Sequence, residues 1–197
     1  DLQGSRRACA IKKIYLTAND YIRDTFRLAR TILDSGWIPD DLIALWRGGA
    51  PVGVSVHEFL YYHGMRPRHR VLKCQSYTGI KSRQNEVHFE NANEIFSSIV
   101  PGSRVLVIDD VFDTGNTARA VIERIAPYHA DIRLATVYWK PSQNQTSLKP
   151  DYHVRETDEW IVFPHELDGL TSDEVKVKDP VIYELLLPAF KKSAQPT

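Results

Sequence analysis

The stretch VLVIDDVFDTGNTA, residues 105–118, constrains this chain more than any other. Four β-formers, Val105 to Ile108, run directly into two adjacent carboxylates, Asp109 and Asp110, and a short polar loop then opens into an amphipathic helix. Near-continuous apolar runs suit strands covered on both faces. In parallel α/β sheets ligands bind outside the carboxyl ends of the strands, which is where this reading puts Asp109 and Asp110. A lone aspartate there reads as a solvated loop residue. Two together repel, and a cation or hydroxyl donors must offset the repulsion.

The same alternation runs through the chain. Residues 17–37 read as a helix capped by Thr17 or Asn19, with Ile22, Phe26, Ala29 and Leu33 as its apolar face and Gly36 as its stop. Asp41–Trp46 is a short strand, followed by the loop RGGAPVG and a helix over Val54–Gly64. Arg70–Tyr77 reads as a strand, and residues 78–93 as a long polar loop of the kind that is functional or disordered. Arg104–Ile108 is the next strand, its helix runs from about Gly115 to Tyr128, and Asp131–Lys140 is a further strand. Strands alternating with helices predict an α/β fold over residues 1–140, with a central, mainly parallel sheet flanked by helices. After Pro141 the alternation stops. The loop-like PSQNQTSLKPDY, the aromatic-rich EWIVFPHEL and a terminal helix, DPVIYELLLPAFKK, interrupted at Pro188, predict a small C-terminal lobe over 141–197 within the same compact domain.

Composition narrows the function classes. Lysine plus arginine and aspartate plus glutamate both count 25, so the formal net charge is zero, and no basic excess argues for nucleic acid. The basic RPRHRVLK (66–73) reads as a solvated or subunit-contact patch. Cys9 and Cys74 are far apart and form no CxxC, which fits a reducing compartment. No apolar run approaches the roughly 18 residues of a spanning helix, and DLQGSRRACAIKKIYL lacks the apolar stretch of a signal peptide. A cytoplasmic protein without a membrane partner is expected. His57 and His63 are six apart and miss the spacing of four that a helical zinc pair needs.

The loop after the carboxylates carries the chemistry. Thr114-Gly115-Asn116-Thr117 at a helix start offers backbone N–H groups, two hydroxyls and the positive end of the helix dipole. That combination suits a phosphate, although simple N-capping by Thr114 or Thr117 would use the same residues. Carboxylates for sugar hydroxyls beside a nest for phosphate describe a ribose 5-phosphate.

VLVIDDVFDTGNTA closely resembles the phosphoribosyl-pyrophosphate (PRPP) motif of type I phosphoribosyltransferases. The resemblance implies that Asp109 and Asp110 hold the ribose hydroxyls and Mg²⁺, and that Thr114, Gly115, Asn116 and Thr117 take the 5-phosphate. Aspartate as the first loop residue is similar to the 6-oxopurine branch, where Asp113 would accept the proton of the purine imidazole. LWRGGAPVG (45–53) resembles the pyrophosphate loop, which implies that Arg47 and Gly48 meet the diphosphate and that the Arg47–Gly48 peptide is cis. Ser76 and Tyr77 match the pair that opens the family's catalytic lid, here 78–93. Lys140 matches the lysine aimed at the 6-oxo oxygen. EWIVFPHEL resembles the hood, which implies that Trp160 stacks on the base, Ile161 offers backbone groups to its edge and Glu166 helps hold a second magnesium.

The chain departs from the pattern at Asn116, where some members have Lys or Gly, at Gln75, where some have Lys, and at His165, where hoods often carry an aromatic. The expected activity is purine salvage: PRPP and a hypoxanthine, guanine or xanthine base give a nucleoside monophosphate and pyrophosphate, with Mg²⁺ as cofactor, in a homodimer or homotetramer. The competing expectation is a non-catalytic PRPP-binding regulator of the same fold.

Overall fold

Thr17 starts the first helix, its hydroxyl accepting from the Asp20 N–H at 3.1 Å. In chain order the strands are β1 (Lys13–Tyr15), β2 (Asp41–Trp46), β3 (Arg68–Ser76), β4 (Val87–Glu90), β5 (Arg104–Phe112), β6 (Asp131–Trp139), β7 (Tyr152–Glu156) and β8 (Trp160–Val162). The helices are α1 (Ala18–Asp34), α2 (Gly49–Tyr62), α3 (Ala92–Ser97), α4 (Asn116–Ile125), α5 (Ser172–Lys178) and α6 (Pro180–Ser193). This computed structural model describes residues 12–76, 87–90 and 92–193. They fall into two compact units: residues 22–158, and the residues up to Tyr21 with those from Glu159 onward. The sequence reading drew its boundary at 140; the larger unit runs on because β7 adds a strand beyond it.

The larger unit is built on a six-stranded sheet in the order β4-β3-β2-β5-β6-β7, parallel except for the antiparallel β3–β4 pair. Leu42 to Leu45 in β2 and Val105 to Ile108 in β5 are all buried, as runs of β-formers covered on both faces should be. Gly53 lets α2 lie close on β2, since a Cβ there would meet the Ala44 Cβ at 2.7 Å. Strand order reverses between β2 and β5, the switch point at which open α/β sheets bind ligands. There the ladder between the two strands ends at the Ala44–Ile108 pair, whereas β5 stays paired with β6 as far as Phe112–Trp139. β5 therefore extends through Asp109 and Asp110 to Phe112, rather than ending at Ile108.

Four expectations need correction. The buried face of α1 is Asp24, Thr25, Leu28, Ala29 and Ile32, while Ile22 and Phe26 are exposed. Apolar spacing misled because the face is partly polar. Asp24 is buried and accepts from Arg155 Nε at 2.6 Å in β7 and from Arg27 at 2.5 Å. Burial alone would raise its carboxyl, but the hydrogen bonds from Arg155 and Arg27 hold it below the ordinary value. The second helix starts at Gly49, inside the expected loop. The expected loop 78–93 contains β4, which pairs with β3 through Cys74–Phe89, and the start of α3; residues 77–86 lie outside the described set. Finally, α6 continues through Pro188 rather than breaking there.

The smaller unit carries a parallel β1–β8 pair, with Lys13 opposite Trp160 and Ile14 opposite Ile161. It also holds α5, which the sequence reading passed over. Thr171 and Glu174 form a reciprocal capping box at its start, a T-x-x-E signal present in the sequence. Among the described residues no helix is long and apolar enough to cross a membrane.

Candidate active site

Two sequence-distant loops meet where β2 and β5 part. Gly48 and Gly49, after β2, press onto β5: a Cβ on Gly48 would sit 1.9 Å from Asp110 Oδ2, and one on Gly49 would sit 2.4 Å from the Ile108 carbonyl oxygen. Gly48 has φ −67°, an ordinary value, so close approach rather than backbone freedom requires glycine there. The loop RGGA and the acidic pair, separately singled out from sequence, thus form one site, with Arg47 exposed beside it. The cis peptide is Trp46–Arg47, one residue earlier than the expected Arg47–Gly48, at the junction between the last residue of β2 and the loop.

The two carboxylates each bond to the residue that follows. Asp109 Oδ1 accepts from the Asp110 N–H at 2.9 Å, and Asp110 Oδ1 from the Val111 N–H at 2.8 Å. Burial and the negative charge of Asp110 push the Asp109 carboxyl well above the ordinary carboxylate range. Among the described residues no lysine or arginine is bonded to Asp109. Burial, with Asp109's charge behind it, also pushes the Cys74 thiol up to about 12, so this cysteine stays protonated at neutral pH.

Behind the pair lies the loop expected to hold phosphate. Gly115 has φ +79°, a left-handed conformation that favours glycine, and α4 follows without a side-chain cap. The N–H groups of Thr117 and Ala118, in the first turn of α4, are therefore available to an anion. Thr114 accepts from the Asn116 N–H at 3.3 Å rather than capping the helix further in. The Asn116 side chain is turned sideways, donating to Gln145 at 3.2 Å and accepting from Arg119 at 3.0 Å. Asp109, Asp113, Thr114, Gly115, Thr117 and Thr136 line one cleft of about 450 Å³, its open mouth included.

Lys140 follows β6 and is 8% exposed. Its N–H donates to the Phe112 carbonyl at 2.9 Å, which ties the end of β6 to the end of β5. Its Nζ lies 3.8 Å from Asp113 Oδ2, and Asp113 is half exposed at the cleft. The structure thus brings Arg47, Gly48, Asp109, Asp110, Asp113, Thr114, Gly115, Asn116, Thr117 and Lys140 together within the larger unit.

Trp160, Ile161 and Glu166 belong to the smaller unit. Trp160 is half exposed and Ile161 buried on β8 of the smaller unit. There Glu166 accepts from the Phe163 N–H at 3.3 Å, and its carbonyl accepts from Lys178. Ser76 ends β3, and Tyr77 lies outside the described residues. Sequence reasoning missed Asn144, Gln145 and Thr146, which pack behind the phosphate loop; a polar stretch without periodicity carried no signal for them.

Comparison with known proteins places these features in a family. The family described as Phosphoribosyl transferase domain matches residues 13–169. A purine phosphoribosyltransferase from Pyrococcus horikoshii Ot3 is 30% identical, with a TM-score of 0.63, 81% of this chain covered and 97% of that chain. Two more distant structures share the fold. A hypothetical protein from Neisseria gonorrhoeae with bound ppGpp has a TM-score of 0.69 at 19% identity, covering 87% of this chain and 98% of that one. The xanthine-guanine-hypoxanthine phosphoribosyltransferase of Helicobacter pylori has a TM-score of 0.59 at 20% identity, covering 87% of this chain and 99% of that one.

Proposed function

Because the chain belongs to the phosphoribosyl transferase domain family, with the type I fold, we propose that it transfers the phosphoribosyl group of PRPP to a 6-oxopurine base. The observation that carries this reading is the Asp113–Lys140 pair, 3.8 Å apart, in which Asp113 lines the cleft that also holds the phosphate loop. A 6-oxopurine presents an imidazole nitrogen and a carbonyl oxygen along one edge, matching a carboxylate beside an ammonium. Adenine carries an amino group at that carbonyl position, and a lysine gains nothing from it. The purine named for the Pyrococcus relative supports a purine base.

In this reading the bond from ribose C1 to a pyrophosphate oxygen breaks, and a bond forms from C1 to the other imidazole nitrogen, N9, while the one beside the carbonyl, N7, faces Asp113. The proton on the purine passes to Asp113 acting as general base. Arg47 and the loop at Gly48 receive the diphosphate and stabilise its developing charge. Thr114, Gly115, Asn116 and Thr117 fix the 5-phosphate, which holds C1 at attack distance from the base. Lys140 donates to the 6-oxo oxygen.

The acidic pair fits magnesium, which takes one or two carboxylates together with substrate phosphates. Among the described residues no cluster of three or more metal-ligating side chains forms a denser site. Asp109 and Asp110 would hold the ion, which would neutralise charge on the leaving diphosphate.

The test is a panel of hypoxanthine, guanine, xanthine and adenine with PRPP and Mg²⁺, following nucleotide formation. Turnover with one or more 6-oxopurines and none with adenine is expected. Tight PRPP binding without turnover of any base would replace the enzyme with a PRPP-binding regulator.

A further inference from the structure

The segment from Asn144 to Leu148 grips the phosphate loop from behind. The Gln145 N–H donates to the Thr114 carbonyl at 2.9 Å, and Gln145 Oε1 accepts from Asn116 Nδ2 at 3.2 Å. A Cβ on Gly115 would lie 2.5 Å from Thr146 Oγ1 and 3.0 Å from Asn144 Oδ1, so loop and segment touch without spare room. The segment is braced in turn. Asn144 Oδ1 accepts from both the N–H and the hydroxyl of Thr146 at 2.9 Å, and Asn144 Nδ2 donates to the Leu148 carbonyl at 2.7 Å. The Leu148 N–H donates to Thr146 Oγ1 at 3.2 Å, and the Leu148 side chain packs on the hydrophobic core.

This arrangement answers a question the phosphate loop leaves open. The loop binds through backbone N–H groups, so its affinity depends on their direction, yet Gly115 is the residue type with the greatest backbone freedom. Within the loop only the 3.3 Å contact from the Asn116 N–H to Thr114 constrains it by a side chain. Arg119 of α4 adds its N–H to the Gly115 carbonyl at 2.9 Å and its guanidinium to Asn116 Oδ1 at 3.0 Å, and the segment from Asn144 adds contacts at each of Thr114, Gly115 and Asn116. We propose that Asn144, Gln145 and Thr146 are positioning residues for the 5-phosphate: they hold the loop in its anion-binding shape without touching the phosphate. The inference rests on the phosphoribosyl reading of the site, and extends it to residues outside the motif.

The test uses the full chain and calorimetric titration with ribose 5-phosphate and, separately, pyrophosphate. Thr146→Val keeps the shape of the side chain and removes both hydrogen bonds of its hydroxyl. It should weaken ribose 5-phosphate about tenfold while pyrophosphate affinity and melting temperature stay near the wild-type values. Thr146→Ser, which restores the hydroxyl, should restore binding. Gln145→Leu removes the amide that holds Asn116 at an exposed position, and should weaken ribose 5-phosphate about threefold if Thr146→Val fails to fold. Unchanged ribose 5-phosphate affinity in the folded variants overturns the proposal. So does parallel loss of both ligands and of melting temperature without rescue by serine, which marks a merely structural segment. A wild-type chain that binds neither ligand overturns the phosphoribosyl reading itself, and the positioning role with it.

Discussion

At the amino end of the parallel sheet Asp40 and Asp41 lie against arginines, whereas at the carboxyl end Asp109 lies against Asp110. Asp40, just before β2, accepts from Arg104 Nε, Nη2 and the backbone N–H within 3.1 Å. Those bonds hold its carboxyl below the ordinary range. Asp41 is fully buried and accepts from Arg68 at 2.6 Å and Arg70 at 2.8 Å. Asp109, on the neighbouring strand, is shifted in the opposite direction by burial and by its acidic neighbour. Two ends of one sheet therefore place the same residue type differently: Asp40 and Asp41 carry their countercharge within the chain, and among the described residues no lysine or arginine is bonded to Asp109.

The comparison can be broken by removing charge at each end. The largest effect is expected at Asp113. Asp113→Asn should lower kcat by about 10²–10⁴-fold, the range of general-base loss, with PRPP affinity changed by less than about threefold. Steady-state kinetics beside calorimetry checks this, and equal losses in both would remove the base assignment. At the opposite end Asp41→Ala should leave activity per folded molecule intact but cost about 2–3 kcal/mol of stability in urea unfolding. That is less than the full penalty for a broken buried pair, because Arg68 is partly solvated.

Gly48→Ala tests how tightly the two loops meet. Its Cβ has 1.9 Å to Asp110 Oδ2, and the required shift should weaken pyrophosphate about tenfold. Wild-type affinity in this variant would mean that the loop does not present its backbone to the diphosphate.

The smallest effects are in pH dependence, and they have opposite signs at the two ends. The folded carboxyl of Asp40 is lowered, so its stabilising contribution is present above the unfolded value of about 3.9 and is lost as pH falls through the folded value. The folded carboxyl of Asp109 is raised, so the ligand-free protein gains stability as pH falls through that raised value toward the unfolded value of about 3.9. Asp40→Asn should flatten the acid limb of the melting curve, and Asp109→Asn the rise above it. A rise that survives in Asp109→Asn would assign it to another group.

Much of this was legible from the residues. Leu42–Leu45 and Val105–Ile108 announced central strands because a strand covered on both faces has nowhere to put a polar residue. The acidic pair, the phosphate loop and RGGA were readable as chemistry, but their meeting was not, since Gly48 touches Asp110 only through the order of strands. Asp24 hid the buried face of α1, because a buried carboxylate looks like a surface residue until Arg155 arrives from 131 positions away. β1 and β8 were invisible for the same reason: three-residue strands carry no period, and their pairing joins opposite ends of the chain. Asn144 to Thr146 bond locally through side chains and backbone, which leaves no periodic trace.

The most direct measurement is calorimetric titration of PRPP with Mg²⁺ into the wild type, Asp40→Asn and Asp109→Asn. If the carboxyl end is the phosphoribosyl site and the amino end a structural one, the wild type and Asp40→Asn bind alike. Asp109→Asn then loses about 100-fold, as expected for charge-assisted contacts to ribose and cation. Equal binding by all three, or none by the wild type, would contradict it.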